Sequence, residues 1–197
     1  MILGQKKTED QIYIIAEIGN NHEGSFEVAS EMVRAAARTG VDAVKFQTFV
    51  TEEFISQSQG PRFEKLKGFS LSFDEFSKLH DLTRTLGLDF ISTPLDLSSA
   101  EFLKPLVTAF KVASSDNTFY PLLDFLADQE KPVLISSGLL DFEGVLKTKS
   151  YIEEQFRSRG HEAYLCILHC VTAYPVEAEH ANLSALVEMK KGLDCEV

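Results

Sequence analysis

Two lysines stand where lysine is costly. Lys111 interrupts the apolar run Ala109-Phe-Lys-Val-Ala113, and Lys45 interrupts Ala43-Val-Lys-Phe46. An ammonium inside a buried strand is unfavourable unless anionic or hydrogen-bonding groups meet it. Read alone, either lysine could snorkel off an edge strand. Both runs, however, break into polar residues: Gln47-Thr48 after Lys45, and Ser114-Ser-Asp-Asn-Thr118 after Lys111. Other apolar runs end the same way. Glu17 lies near the end of the first, Thr93 ends another, and Ser136-Ser137 end a third. His169, Thr172 and Tyr174 follow the last. Where strands are parallel, their carboxyl ends share one face, and sites are built there. Two ammonium groups among several hydroxyls suit a small ligand carrying phosphate and carboxylate, because lysine supplies compact charge and hydroxyls supply neutral donors. Glu17 is placed to pair with a lysine or to act as a base. His169 by itself reads as a core histidine, and Tyr174-Pro175 as ordinary helix-entry packing. His22 and Glu23 sit in the first loop, on the same face.

The elements that would position these residues alternate strictly. Ile12–Ile18 is apolar and β-branched, as a strand covered on both faces is. The loop Gly19-Asn-Asn-His-Glu-Gly24 follows, and Ser25 caps a helix with Phe26, Ala29, Met32, Val33 and Ala36 at helical spacing, closed by Gly40. Strand two is Ala43–Thr48, which puts Ala43, Lys45 and Gln47 on one face. The connection over 49–71 contains Gly60-Pro61 and reads as a lid, a binding loop or a surface insertion. Ser72-Phe-Asp-Glu75 is a capping-box pattern opening a helix that Gly87 closes. Strand three is Leu88–Thr93, stopped by Pro94, and a second capping-box pattern at Ser98–Glu101 predicts a short helix. Strand four is Ala109–Ala113, with its helix over Pro121–Gln129. Strand five is Pro132–Ser136, followed by an Asp141-capped helix ending at Gly160. Strand six is Ala163–Cys170, and Asn182 is the expected cap of a last helix ending near Gly192. A seventh strand would begin near Cys195-Glu-Val197.

Six strand–helix units in alternation imply parallel strands with right-handed crossovers. No Gly-x-Gly-x-x-Gly follows the first strand, which argues against a dinucleotide-binding sheet. The fold class expected is α/β of the (β/α)8 barrel type, with about six of the eight βα units in this chain, so that residues 1–197 are the N-terminal part of a barrel. The chain is 44% hydrophobic, as a globular domain is, and its net charge of −11 disfavours a nucleic-acid or anionic-membrane partner. Local lysines must then draw an anion in against the overall field. Three cysteines without metal-type spacing read as reduced thiols in a cytoplasmic protein. No apolar run approaches membrane-spanning length.

Six motifs carry a resemblance. Ile15-Ala-Glu-Ile-Gly-Asn-Asn-His-Glu-Gly24, Val44-Lys-Phe-Gln47, Phe90-Ile-Ser-Thr-Pro94, Phe110-Lys-Val-Ala-Ser-Ser-Asp116, Leu134-Ile-Ser-Ser-Gly138 and Leu168-His-Cys-Val-Thr-Ala-Tyr-Pro175 resemble, in order and spacing, the N-acetylneuraminate (sialic acid) synthase family. The resemblance implies a barrel enzyme that condenses phosphoenolpyruvate with an N-acylated amino sugar, usually N-acetylmannosamine. Water attacks C2 of the enolpyruvate unit and phosphate leaves with C–O cleavage. It implies that Lys45, Thr93, Lys111, Ser114 and Ser136 hold phosphoenolpyruvate, and that Glu17 and Asp116 serve proton transfer or orient sugar and water. Thr172 and Tyr174 would contact the amino sugar, with Gln47 lining the site. It also implies a divalent metal, manganese or magnesium, and a homodimer of the full-length protein.

Three departures qualify the likeness. Asp116 stands where many relatives have Glu, and Thr172 where some have Asn. The family's metal-ligand histidines and its antifreeze-like domain belong to segments this chain does not include, so no metal ligand is assigned here. The expectation is a chain that keeps most of the phosphoenolpyruvate site and turns over poorly or not at all unless the rest is supplied. Synthases for legionaminic, pseudaminic or spore-coat sugars fit the same strand ends, and so does a non-catalytic anion- or partner-binding protein.

Overall fold

A computed structural model describes residues 1–197. The chain forms two compact units, residues 2–110 and, with Met1, residues 111–197. In the first, a hairpin that the sequence reading does not foresee comes first: β1 (Ile2–Leu3) pairs antiparallel with β2 (Lys6–Lys7), turning through Gly4 at φ 55°. The main sheet begins with β3 (Ile15–Gly19), shorter than the predicted Ile12–Ile18. Ile12 and Ile14 are 82% and 51% exposed. Asp42 takes the Ile14 N–H at 2.8 Å, and the parallel register starts only at Ile15 opposite Ala43. Hydrophobicity alone does not say where pairing begins. Helix α1 (Phe26–Ala37) follows its predicted Ser25 cap and buries Ala29 and Val33. It leads to β4 (Ala43–Thr48).

The stretch after β4 is folded, not a loop. It contains α2 (Thr51–Phe54), a 3₁₀ turn at Gln57–Gln59 and α3 (Pro61–Phe69). Phe49, Phe63 and Leu71 are buried in it. The polar residues between them hid a spacing too irregular for one amphipathic helix, and Pro61 opens α3 where proline is well tolerated. Helix α4 (Phe73–Thr85) has its predicted Ser72–Glu75 capping box, with both reciprocal bonds present. Strand β5 is Asp89–Pro94.

The next helix, α5 (Leu97–Leu103), has Asp96 as its cap in place of the predicted box at Ser98. Asp96 accepts the Ser99 N–H at 2.6 Å and the Val50 N–H at 2.7 Å, so one carboxylate starts a helix and clamps the chain after β4. Ser98 turns its hydroxyl to Glu53 instead. Phe46 packs on Phe90 and edge-on against Phe76, and all three are essentially buried. Each such ring contributes about 1.5–3 kcal/mol by leaving water.

Strand β6 (Phe110–Val112) carries the chain into the second unit, where α6 (Tyr120–Ala127), β7 (Val133–Ser136), α7 (Phe142–Ser158) and β8 (Leu165–Leu168) follow. Asp141 caps α7 through the Gly144 N–H at 2.8 Å, as predicted. Helix α8 is Ser184–Gly192, but Asn182 is not its cap. At φ 48° Asn182 is left-handed, whereas a capping residue is extended, and its amide oxygen takes the Ser184 hydroxyl. Beyond α8, Glu196 pairs in parallel with Cys166 on β8, where the expected seventh strand would start. Strand order in the six-stranded sheet is β3-β4-β5-β6-β7-β8. That order, with a helix after each strand, is the α/β class of the (β/α)8 barrel type, with six βα units in this chain. No helix is long and apolar enough to cross a membrane.

Candidate active site

In residues 2–110 the site residues gather at Lys45. The parallel registers bring Glu17 opposite Lys45 and Gln47 opposite Thr93. Lys45 is 7% exposed. Its Nζ donates to Thr93 Oγ1 at 2.7 Å, to the Phe46 carbonyl at 3.3 Å and to Glu17 Oε2 at 3.1 Å. Burial pushes the Lys45 pKa below that of an ordinary lysine, and the Glu17 carboxylate works against that shift. Glu17 itself is half-exposed and open to a ligand. Glu17 is thus paired with Lys45.

Gln47 Oε1 accepts from Asn20 Nδ2 at 2.8 Å. Asn20 was not singled out from sequence, although it lies in the first loop beside His22. His22 is buried, takes the Gly24 N–H on Nδ1 and is held neutral by burial, so it shapes that loop. Gly24 allows the loop's close approach to α3: a Cβ there would lie 2.0 Å from the Gly68 carbonyl oxygen.

In residues 111–197 the equivalent centre is Lys111, also 7% exposed. Its Nζ donates to Ser136 Oγ at 2.5 Å and to the Val112 carbonyl at 2.6 Å. Asp116 is half-buried. Burial raises its pKa above the usual carboxylate value, against the opposing pull of the Ser115 hydroxyl and the Lys111 charge. Such a carboxyl suits proton transfer better than a fully solvated one. Asn117 is buried and donates from Nδ2 to the Ser136 and Gly138 carbonyls at 3.1 and 2.9 Å.

Gly138 is required here. A Cβ on it would meet Ser114 Oγ at 2.5 Å and Thr172 Oγ1 at 2.7 Å, so both hydroxyls close in over the glycine. The structure thereby brings Ser114, Ser136 and Thr172 to one segment. Tyr174, 93% exposed, is not brought in. His169 Nε2 lies 2.9 Å from the Ala181 carbonyl, which fits a structural histidine. A cavity of about 760 Å3 lies beside these residues, lined by Ser137, His169, Cys170, Thr172, Asn182 and Met189 among others. Asn117, Gly138 and Cys170 act here without having been assigned roles from sequence. The Ser-Ser-Gly and Ser-Ser-Asp-Asn clusters were the available signal for the first two.

His, Cys, Asp and Glu side chains nowhere gather in a group of three or more able to hold a metal ion.

An uncharacterized protein of Methanocaldococcus jannaschii, MJ1065, is 40% identical over 179 residues, covering 90% of this chain and 51% of that protein. The N,N'-diacetyllegionaminic acid synthase of Legionella pneumophila is 33% identical, covering 88% of this chain and 52% of that enzyme. The chain thus spans about half the length of these curated relatives. The crystal structure of the N-acetylneuraminic acid (sialic acid) synthetase of Leptospira borgpetersenii, in complex with citrate, superposes with a TM-score of 0.86 at 29% identity, covering 93% of this chain and 62% of that one. The relatives with a named activity are sugar-acid synthases. Residues 32–197 match the NeuB family profile and include five of the six motifs noted above in full; with both lysines inside that range, the chain belongs to the NeuB family.

Proposed function

We propose that this chain supplies the phosphoenolpyruvate-binding part of an enzyme that condenses phosphoenolpyruvate with an N-acylated amino sugar, N-acetylmannosamine or a relative, to give a nonulosonic (sialic-type) acid and phosphate. One repeated observation carries the reading. Each buried lysine is hydrogen-bonded to a hydroxyl on the next strand, Lys45 to Thr93 and Lys111 to Ser136. A buried ammonium held by neutral hydroxyl and carbonyl acceptors, with Lys45 also paired to a half-exposed carboxylate, is suited to receive an anion.

In this reading Lys45 and Thr93, and Lys111 with Ser114 and Ser136, bind the anionic groups of phosphoenolpyruvate. Its C3 forms the bond to the sugar's carbonyl carbon, whose oxygen takes a proton. Water adds at C2, and the C2–O bond breaks to release phosphate. Asp116, with its raised pKa, moves protons at this centre, and Glu17 orients or accepts them. Thr172 and Gln47 face the sugar, while Tyr174 stands outside the cluster and would reach the sugar only by turning inward.

The test is calorimetric titration of phosphoenolpyruvate into the native chain and into Lys111→Ala, followed by a product assay with N-acetylmannosamine and manganese. Saturable binding that Lys111→Ala abolishes supports the reading. No binding by the native chain overturns it. Binding without product would leave the chain as an anion-binding part that needs the rest of the enzyme to turn over.

A further inference from the structure

Ser136 has one hydroxyl oxygen and two donors pointed at it. Lys111 Nζ donates from 2.5 Å, and Cys170 Sγ donates from 3.2 Å. A serine hydroxyl has two acceptor lone pairs and one proton. With both lone pairs taken, the proton is left to donate, and it must point away from Lys111 and Cys170. The backbone around it is held separately, because Asn117 grips the Ser136 and Gly138 carbonyls and not the hydroxyl. Ser136 is itself 6% exposed, so its proton has few water partners to wander between. Without the thiol, the hydroxyl could rotate and spend its proton toward position 170.

We infer that Cys170 is a positioning residue of the Lys111 anion site: its thiol occupies the second lone pair of Ser136 and so turns the serine proton toward the bound anion. This rests on the proposed phosphoenolpyruvate-binding role. Cys170 touches no substrate here; it acts through Ser136. The role differs from that of the other two cysteines. Cys166 and Cys195 lie near the C-terminal residues, and burial pushes their thiols up to about 12 and about 11.

The experiment is a double-mutant cycle read by calorimetric titration of phosphoenolpyruvate. The variants are Cys170→Ala, Cys170→Ser, Ser136→Ala and the Cys170→Ala/Ser136→Ala pair, each checked for an intact thermal transition. Cys170→Ala is expected to weaken binding about three- to tenfold, the scale of one lost neutral hydrogen bond. Cys170→Ser, which restores a donor, is expected to recover most of that loss. In the Ser136→Ala background Cys170→Ala is expected to change nothing further, because its effect passes through the serine. A merely structural cysteine would weaken binding in both backgrounds and would not be rescued by serine. Equal binding by native chain and Cys170→Ala, or additive losses in the cycle, overturns the positioning role and leaves the proposed function standing. Absence of binding by the native chain overturns both.

Discussion

Replacing Gly138 by alanine tests the site and its packing together. The added Cβ would lie 2.5 Å from Ser114 Oγ, 2.7 Å from Thr172 Oγ1 and 3.0 Å from Ser114 Cβ. Rotating Ser114 about χ1 carries its oxygen away, but it cannot move its Cβ. Thr172 is exposed and free to swing out, whereas the Gly138 backbone is pinned by Asn117 through its carbonyl. Some backbone must therefore shift by a few tenths of an ångström even after both hydroxyls have left. Overpacking of this kind costs about 1–3 kcal/mol. For a chain of this size that is a fall of about 2–12 °C in Tm. Phosphoenolpyruvate affinity should fall as well, by about fivefold or more, because Ser114 no longer presents its hydroxyl. Calorimetric scans with and without phosphoenolpyruvate read both effects. Ser114→Gly added to Gly138→Ala removes the carbon and oxygen contacts together, so it should recover Tm without recovering affinity. A Gly138→Ala chain that melts and binds like the native one would refute the crowding argument.

Two further outcomes follow from other residues. Asp96→Ala removes the α5 cap and the Val50 clamp at once, leaving N–H groups unpaired, so it should lower stability by about 2–4 kcal/mol, while Ser98→Ala should change it by less than about 0.5 kcal/mol; chemical denaturation of the two variants checks this, and equal losses would restore Ser98 as the cap. Asp116 keeps its proton to higher pH when folded than when unfolded, so the native chain loses stability as pH rises through the raised pKa; the Tm of Asp116→Asn minus that of the native chain should grow as pH rises above the ordinary carboxylate range, and a constant difference would mean that the carboxyl is not perturbed.

The alternation of strands and helices was legible because apolar runs, glycines and caps recur in register. Ser25, Ser72 and Asp141 cap the helices their positions announced. Ser98 and Asn182 did not, because a capping pattern is local while the choice between Asp96 and Ser98 is made by Val50, far away in sequence. The helices within 49–71 were hidden for a similar reason: their apolar residues face several neighbours in turn and keep no single period. At the site, the lysines stood out as costly residues in apolar strands, and the hydroxyls at strand ends stood out beside them. What could not be read was which atom serves which. That the Asn117 amide would grip two carbonyls, or that Cys170 would address Ser136, depends on distances between strands.

Lys45 carries three N–H groups, and three acceptors already hold them: a carbonyl, a hydroxyl and the half-exposed Glu17 carboxylate. An anion that comes to this ammonium does not fill a vacancy; it trades places. Glu17 is the partner most readily surrendered, since water can take over its solvated side. Affinity at Lys45 is therefore a difference between two ion pairs, and it is set as much by how contentedly Glu17 leaves as by how well the newcomer fits.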